Sequence, residues 1–167
     1  MDRHITVSGF VVHDGRVALH WHRKNQMWLP AGGHIEPNED PLEATLREIK
    51  EEFALDAEVI RTAPQVKYGG GPRQIEPPYT LLECPIAPDH VHVDCVYFCR
   101  VVSGYPGVSH DPDNPLFWFD AEQLAAGGAP VNGRRVAFPP DVLALGLEAI
   151  RLESTLSNAA VTLSEAR

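Results

Sequence analysis

Cysteine, positive charge and long apolar runs are all scarce in this sequence. The three cysteines, Cys84, Cys95 and Cys99, are odd in number and include no C-x-x-C pair, so neither a disulfide framework nor a zinc ribbon is expected. No segment approaches the ~18 consecutive apolar residues of a membrane span, and the N-terminus lacks the apolar stretch of a secretion signal. These absences predict a protein of a reducing compartment, located in the cytoplasm.

The shortage of cations restricts the partner. Lys and Arg number 14 against 23 Asp and Glu, which gives a formal net charge of -9 at pH 7. A nucleic-acid backbone and an anionic membrane carry the same sign, so we expect neither polymeric DNA or RNA nor a membrane as a partner. A small anionic ligand is compatible with this charge if a divalent cation links it to protein carboxylates.

The length of 167 residues and the hydrophobic fraction of 44% suit one globular domain over residues 1–167. Strand-like and helix-like segments alternate, which predicts a sheet covered by helices on both faces. Asp14-Gly15 indicates a hairpin between the first two strands, and Ala31-Gly32-Gly33 is predicted to be a turn. The predicted strands are 5–12, 16–21, 57–62, 90–102 and 115–119, and the predicted later helical segments are 121–126 and 141–156.

The best-marked helix begins after Asp40. Asp40 suits the N-cap, Pro41 suits the first helical position, and Glu43 completes an acidic capping box. Four apolar residues then recur at helical spacing and predict a face that packs on the sheet. These residues are Leu42, Leu46, Ile49 and Phe53.

Three glutamates share the opposite side of this helix. Glu48, Glu51 and Glu52 stand at positions i, i+3 and i+4, so their side chains project close together. Crowded carboxylates repel one another unless solvent or a cation screens them, and their oxygens suit Mg²⁺ or Mn²⁺ better than zinc. Taken alone, the same pattern is also typical of a solvated helix face.

The surrounding sequence distinguishes these two interpretations. Five residues separate Gly33 from Glu39, seven more precede Arg47-Glu48, and Glu51-Glu52 follow. This segment, residues 33–55, resembles the Nudix box, G-x5-E-x7-R-E-U-x-E-E-x-G-U with U apolar, at every position but one. The exception is Ala54, which stands where the family has glycine. Because that glycine usually forms a left-handed helix end, alanine there would cost about 1 kcal/mol, and we expect a local adjustment of the backbone.

The resemblance implies a Nudix fold, an α/β/α sandwich with a mixed sheet. It implies a hydrolase that uses Mg²⁺, or Mn²⁺, to direct water onto the phosphoanhydride bond of a nucleoside diphosphate linked to another group X. By position, the implied metal ligands are Glu48, Glu51, Glu52 and the carbonyl of Gly32. Gly33, Glu39 and Arg47 would support the site. The general base would be Glu52 or Glu51, with Glu52 preferred.

Residues outside the box are weaker candidates for substrate contacts. Arg23, Lys24 and Arg73 could meet phosphates, although surface solvation explains each equally well. Alternation along one predicted strand places His90, His92 and Asp94 on one face, where they could assist the metal or the base, or simply face solvent. Aromatic side chains could stack on a base or belong to the core. These are Trp28, Tyr68, Tyr79 and Trp118.

An additional acidic residue before the last helix is a further possibility that the family suggests. The candidates are Asp111, Asp113, Asp120 and Glu122, and each also suits a turn or a helix cap. Residues 64–78 form a long Gly- and Pro-rich loop, which we expect to influence substrate choice.

Two other functions are compatible with the fold. A non-catalytic module that senses a nucleotide would be expected to lose some of the carboxylates, and this chain retains all three. An isomerase of isoprenoid diphosphates would need a cysteine near the metal, and neither Cys95 nor Cys99 is obviously suited. The nucleobase, the group X, the number of metal ions and a homodimeric state are left open by the sequence.

Overall fold

Strand β1 (Asp2–His13) lies near the middle of a mixed sheet of eight strands in this computed structural model, which describes residues 1–66, 69–104 and 115–165. The parallel partner of β1 is the longest strand, β7 (His90–Ser103). The remaining strands of the sheet are β2 (Arg16–His22), β3 (Met27–Leu29), β4 (Ala31–His34), β5 (Asp56–Val59), β6 (Thr80–Ala87) and β8 (Leu116–Asp120).

The main path through the sheet runs in the order β3, β2, β1, β7, β5. Three further strands attach to this path: β4 pairs with β1, β6 with β7, and β8 with β2. Every pairing except that of β1 with β7 is antiparallel. A separate hairpin consists of β9 (Gly128–Val131) and β10 (Arg134–Ala137).

Helices cover both faces of the sheet. Helix α1 (Pro41–Phe53) packs on one face against β1 and β4, while α2 (Ala121–Ala125) and α3 (Pro140–Glu165) lie on the other. Because side chains alternate along a strand, β1 contributes to both cores. Val7 and Val11 join the core under α1, whereas Phe10 and Val12 join the core under α3. The predicted sandwich of a mixed sheet between helical layers is therefore confirmed.

The predicted turn at Ala31-Gly32-Gly33 is wrong, because these residues form strand β4. Gly32 pairs with Ser8, and Gly33 pairs with Val7. A Cβ added at Gly32 would lie 2.3 Å from the carbonyl oxygen of Val7. The glycine therefore permits a close approach of two strands, and it does not supply the flexibility on which the turn prediction depended.

Strands β3, β6, β9 and β10 were not predicted. Strand β6 is an outer strand that contains Pro85, and its register shifts between Pro85 and Ala87, so its sequence lacks a regular strand pattern. The described residues of the predicted loop 64–78 lie outside helices and strands. In the described part of the chain, no helix is long and apolar enough to cross a membrane.

Candidate functional site

Helix α1 begins at the position that the sequence predicts. The side chain of Asp40 accepts hydrogen bonds from the backbone N–H groups of Leu42 and Glu43, each over 3.0 Å. In return, the Glu43 carboxylate accepts the N–H of Asp40 over 2.9 Å, which completes the capping box. A fixed first turn sets the helical phase of every later residue, including the three glutamates.

The helix ends at Ala54 in a left-handed conformation, with φ 54° and ψ 28°. The N–H of Ala54 donates to the carbonyl of Lys50 over 3.1 Å. The local adjustment expected from the missing glycine is therefore not seen, since alanine itself adopts the left-handed cap. Leu55 follows directly and is fully buried, which fixes the direction in which the chain leaves the helix.

Two of the three glutamates, Glu48 and Glu52, contact strand β4. The backbone N–H of Gly32 donates to Glu52 Oε2 over 3.0 Å. Gly33 lies against Glu48, where an added Cβ would stand 2.3 Å from Glu48 Oε1. At the two glycines, the carboxylates therefore contact backbone that carries no side chain. The contact of Gly33 with Glu48 explains why the box begins with glycine.

Arg47 connects the supporting residues. Its guanidinium donates to both oxygens of Glu39, at 2.7 and 3.0 Å, and to the carbonyl of His34 at 3.1 Å. It also donates to Glu48 at 2.8 Å and to Glu51 at 3.2 Å. The hydrogen bond from Arg47 lowers the pKa of Glu39, while hydrogen bonds to Glu39 and Glu48 raise the pKa of Arg47. Glu39 and Arg47 are therefore charged at neutral pH, and Arg47 orients two of the three helix carboxylates.

This donor set fits a hard divalent cation. Three carboxylates at one helix face provide oxygen ligands of the kind that Mg²⁺ and Mn²⁺ prefer. The side chain of Glu51 is 59% exposed and that of Glu48 is 14% exposed, so the group reaches from the interior to the surface. Glu48 and Glu51 are hydrogen bonded to Arg47, whereas Glu52 is hydrogen bonded to Gly32. Among the described residues, these three carboxylates therefore do not converge on one point.

A cavity of about 680 Å³ opens beside the two glycines. Its wall is formed by residues of β1, β2, β3, β4, β6 and β7 and of the start of α3. Of the residues predicted to contact substrate, Lys24, His92 and Asp94 line this cavity, as do Gly32 and Gly33. A volume of this size suits a small molecule, and because the cavity is lined by the two glycines that contact Glu48 and Glu52, it is the candidate substrate pocket.

Asp94 is 8% exposed and accepts a hydrogen bond from the Thr6 hydroxyl over 2.8 Å. His90 and His92 alternate with Asp94 on the same face, as the strand pattern predicts. Burial lowers the pKa of His92, and the neighbouring histidines lower it further. His92 is therefore a neutral imidazole near pH 7, suited to accept a proton or a metal ion rather than to carry positive charge.

The suggestion that Trp28 stacks on a base is corrected by the structure. Trp28 is 1% exposed and packs edge-on against Trp21, Phe117 and Phe119 in the core under α3. Its ring is thus covered by other side chains, which leaves no face for a ligand. The alternative interpretation, a core aromatic, describes Trp28.

Arg23 and Arg73, two of the basic residues predicted to contact phosphates, do not line the cavity of about 680 Å³. Arg23 borders a smaller cavity of about 230 Å³ that includes Pro115 and Asn132. Arg73 forms an ion pair with Asp40 at 2.8 Å, beside the N-terminus of α1. This pair attaches the Gly- and Pro-rich loop to the helix that carries the glutamates. Of the three predicted phosphate contacts, only Lys24 lines the large cavity.

The remaining candidates are distributed as follows. Asp120 is the N-cap of α2 and accepts the N–H of Gln123 over 2.8 Å, while Glu122 lies in the first turn of that helix. Tyr79 stacks on Phe98 with ring centroids 4.2 Å apart. Trp118 is partly buried beside the core under α1. Asp111, Asp113 and Tyr68 lie outside the described residues.

Sequence reasoning missed several cavity residues. His34 lies within the box, directly after Gly33, so its position was an available signal, whereas Asp141, Cys84 and His20 reach the cavity only through the fold. Cys84 is partly buried, and burial together with the charge of Asp94 raises the pKa of its thiol.

Comparison with known proteins agrees with this fold. The family described as the NUDIX domain matches residues 2–137. A solved NUDIX-family hydrolase from Clostridium perfringens is 30% identical, with a TM-score of 0.69 over 91% of this chain and 99% of that one. A MutT NUDIX hydrolase from Burkholderia pseudomallei is 21% identical, with a TM-score of 0.60 over 89% of this chain and 98% of that one.

A protein solved as a UDP-X diphosphatase has the same fold at 16% identity, with a TM-score of 0.57 over 96% of this chain and 65% of that one. None of the curated proteins compared with the chain matches it.

Proposed function

The chain belongs to the Nudix family, and from this premise we propose that it hydrolyses a phosphoanhydride bond in a small nucleoside diphosphate linked to a group X, with Mg²⁺ or Mn²⁺ as cofactor. The observation that carries the proposal is the complete acidic triad, Glu48, Glu51 and Glu52, in which Glu52 accepts a hydrogen bond from Gly32, a residue that lines the cavity of about 680 Å³.

The proposed metal ligands are the three glutamates and the Gly32 carbonyl. When bound, a divalent cation neutralises phosphate oxygens and makes a water molecule more nucleophilic. The chain's own contribution is to hold the carboxylates in place. Arg47 holds Glu48 and Glu51, and the N–H of Gly32 holds Glu52.

Glu52 is the proposed general base. In the proposed reaction, water attacks one phosphorus, the bond from that phosphorus to the bridging oxygen breaks, and the second phosphate departs with the bonding electrons. The proton of the attacking water passes to the Glu52 carboxylate. The hydrogen bond from Gly32 points Glu52 toward strand β4, beside the cavity, which is why we prefer it to Glu51.

Substrate contacts are proposed for Lys24, His92 and Asp94, because these side chains line the cavity. Lys24 supplies positive charge for a phosphate, and the pair of Thr6 and Asp94 supplies hydrogen-bonding groups. The net charge of -9 favours a small substrate over polymeric nucleic acid.

A panel of substrates tests the proposal. The panel contains nucleoside triphosphates, nucleotide sugars including UDP-sugars, dinucleoside polyphosphates and isopentenyl diphosphate, each with Mg²⁺ or Mn²⁺. Release of phosphorylated products is measured for wild type, Glu52→Gln and the matched control Glu58→Gln. Glu58 is exposed on β5 and pairs with Arg100, so it tests the same chemical change away from the site.

The proposal requires turnover of at least one diphosphate, about 10²-fold or more slower in Glu52→Gln and unchanged in Glu58→Gln. Metal-dependent nucleotide binding without turnover by wild type would indicate the sensing module instead. Conversion of isopentenyl diphosphate would indicate the isomerase, and Cys84→Ala is its diagnostic variant because Cys84 is the cysteine that lines the cavity.

A further inference from the structure

Four histidines gather at one end of the sheet, on the face covered by α3. His4 lies on β1, His34 ends β4, and His90 and His92 begin β7. The register places His4 opposite His92 across the parallel pair of strands. Ring centroids within this group are 4.6 to 5.9 Å apart. We call these four residues the histidine cluster.

The nitrogen atoms of the cluster have the spacing of metal ligands. One ring nitrogen from each of His4, His90 and His92 lies within 4.8 Å of the other two. His4 Nδ1 and His34 Nε2 are 3.2 Å apart. A tetrahedral Zn²⁺ ion with metal–nitrogen distances of about 2.0–2.1 Å holds its ligand atoms about 3.3 Å apart. Small side-chain rotations would therefore bring the three imidazoles to one ion.

One nitrogen of the cluster lacks a partner. His90 Nε2 is buried and has no hydrogen-bond partner among the described residues. The other nitrogen of His90, Nδ1, lies 3.7 Å from the carboxylate of Asp2. Burial of an unpartnered polar atom is unfavourable, so the cluster contains an orphaned donor or acceptor that a ligand would satisfy.

Asp2 also contacts His4, at 3.1 Å from Nε2, and leaves His4 Nδ1 directed at His34. A carboxylate on the outer nitrogen is the usual support of a metal-binding imidazole, since it fixes the ring and increases the basicity of the inner nitrogen. The Asp2 carboxylate contacts both His4 and His90, so it fixes the two rings relative to each other.

The occupant is a cation rather than an anion. Binding a phosphate would require protonated imidazoles, but several cationic rings at these distances would repel one another. Neutral imidazole nitrogens prefer Zn²⁺, Cu²⁺ or Ni²⁺, whereas the oxygen ligands of α1 prefer Mg²⁺.

We propose that His4, His90 and His92 bind a transition-metal ion of the Zn²⁺ type, with His34 as fourth ligand and Asp2 as the supporting carboxylate. This site is distinct from the glutamates of α1 and does not depend on the proposed hydrolase function. Because His34 and His92 also line the cavity, the bound ion stands at its rim.

Zinc titration of the full chain, free of any histidine tag and pretreated with a chelator, tests the site. Calorimetry with ZnCl₂ is performed in excess Mg²⁺, so that the carboxylate site is already filled. The variants are His92→Ala and His4→Gln. The matched control is His13→Ala, at the far end of β1 and about 30 Å from His4 along an extended strand. Circular dichroism without metal verifies that each variant is folded.

The expected result is one Zn²⁺ per chain, bound at least about tenfold more weakly by His92→Ala and His4→Gln and unchanged in His13→Ala and Glu52→Gln. Co²⁺ in place of Zn²⁺ should give the visible absorption of a tetrahedral site, lost in the same two variants. Binding should weaken as the solution is made more acidic, because protons compete with the ion for the ring nitrogens. The proposal is overturned if wild type binds no zinc, if the cluster variants bind it as tightly as wild type, or if Glu52→Gln abolishes binding.

Discussion

Gly32 and Glu52 are joined by a hydrogen bond of 3.0 Å from backbone N–H to carboxylate, although 20 positions separate them in the chain. The bond connects β4 to the last turn of α1. Together with the contact of Gly33 and Glu48, it means that the two glycines form one structural unit with Glu48 and Glu52. Changes to the glycines should therefore affect the carboxylates directly.

Gly33→Ala tests this relationship. A Cβ at residue 33 would stand 2.3 Å from Glu48 Oε1 and would displace a carboxylate that Arg47 also holds. We expect metal-dependent hydrolysis to fall by about tenfold or more, with a small change in Tm because a side chain can move aside. The control is Gly69→Ala, where an added Cβ meets no atom within 4 Å. Equal rates for the two variants would show that Glu48 does not need its present position.

Arg47→Ala should weaken metal binding without removing a metal ligand. Its loss releases Glu48 and Glu51 and leaves Glu39 without its ion pair. We expect about 10–100-fold lower activity at low Mg²⁺, partly restored at high Mg²⁺. Initial rates are measured against Mg²⁺ concentration. Arg100→Ala, which breaks an exposed pair with Glu58, is the control, and an unchanged Mg²⁺ dependence in Arg47→Ala would contradict a positioning role.

Ala54→Gly should stabilise the protein. Alanine at φ 54° carries the strain of the left-handed region, so glycine is expected to raise the free energy of unfolding by about 1 kcal/mol and Tm by about 2–4 °C. Ala126→Gly is the matched control, because Ala126 ends α2 at φ -63° in the right-handed region. There glycine should not stabilise. A lower Tm for Ala54→Gly would show that residue 54 is not strained.

The ionisation of Glu148 should make the free energy of unfolding depend on pH. Hydrogen bonds from Arg151 and then Tyr79 lower its pKa from 4.5 to about 2. Since the folded pKa lies below the unfolded one, this stabilisation is present above pH 4.5 and is lost as the pH falls toward 2. Its size should be below about 1 kcal/mol, because the group is solvated.

The measurement is the urea midpoint of Glu148→Gln and wild type at about pH 6 and about pH 3. The difference between the two proteins should be larger at the higher pH and smaller at the lower one, where the stabilisation is partly lost. Glu153→Gln on the same helix separates this effect from the general loss of a negative charge in α3. A difference that is constant between the two pH values would contradict the assignment.

The helix of the box was predictable because its information is local. Asp40, Pro41 and Glu43 determine where α1 begins through bonds within one turn, and the phase of the helix then places the glutamates on one side. Ala54 was recognised as a departure from the motif. The local sequence did not reveal that alanine would keep the left-handed cap, because burial of Leu55 and the following strand impose it.

Two predictions were wrong, the turn at residues 31–33 and the stacking of Trp28 on a base. In both cases the reason is a contact between residues that lie far apart in the sequence. A glycine pair resembles a turn in sequence, and only the approach of β1 shows that it is a strand. Trp28 is aromatic in a polar neighbourhood of the chain, but Phe117, Phe119 and Phe138 from later segments bury it.

The sequence by itself determined the helix, its caps, the acidic triad and the alternation that places His90, His92 and Asp94 on one face, because each depends on residues a few positions apart. Tertiary structure alone decided which residues meet across the sheet. It joined Gly32 to Glu52, brought His4 and His34 to the histidines of β7, and left Arg23 outside the cavity. These contacts follow from strand order and register, which are set by packing of the whole sheet against two helical layers.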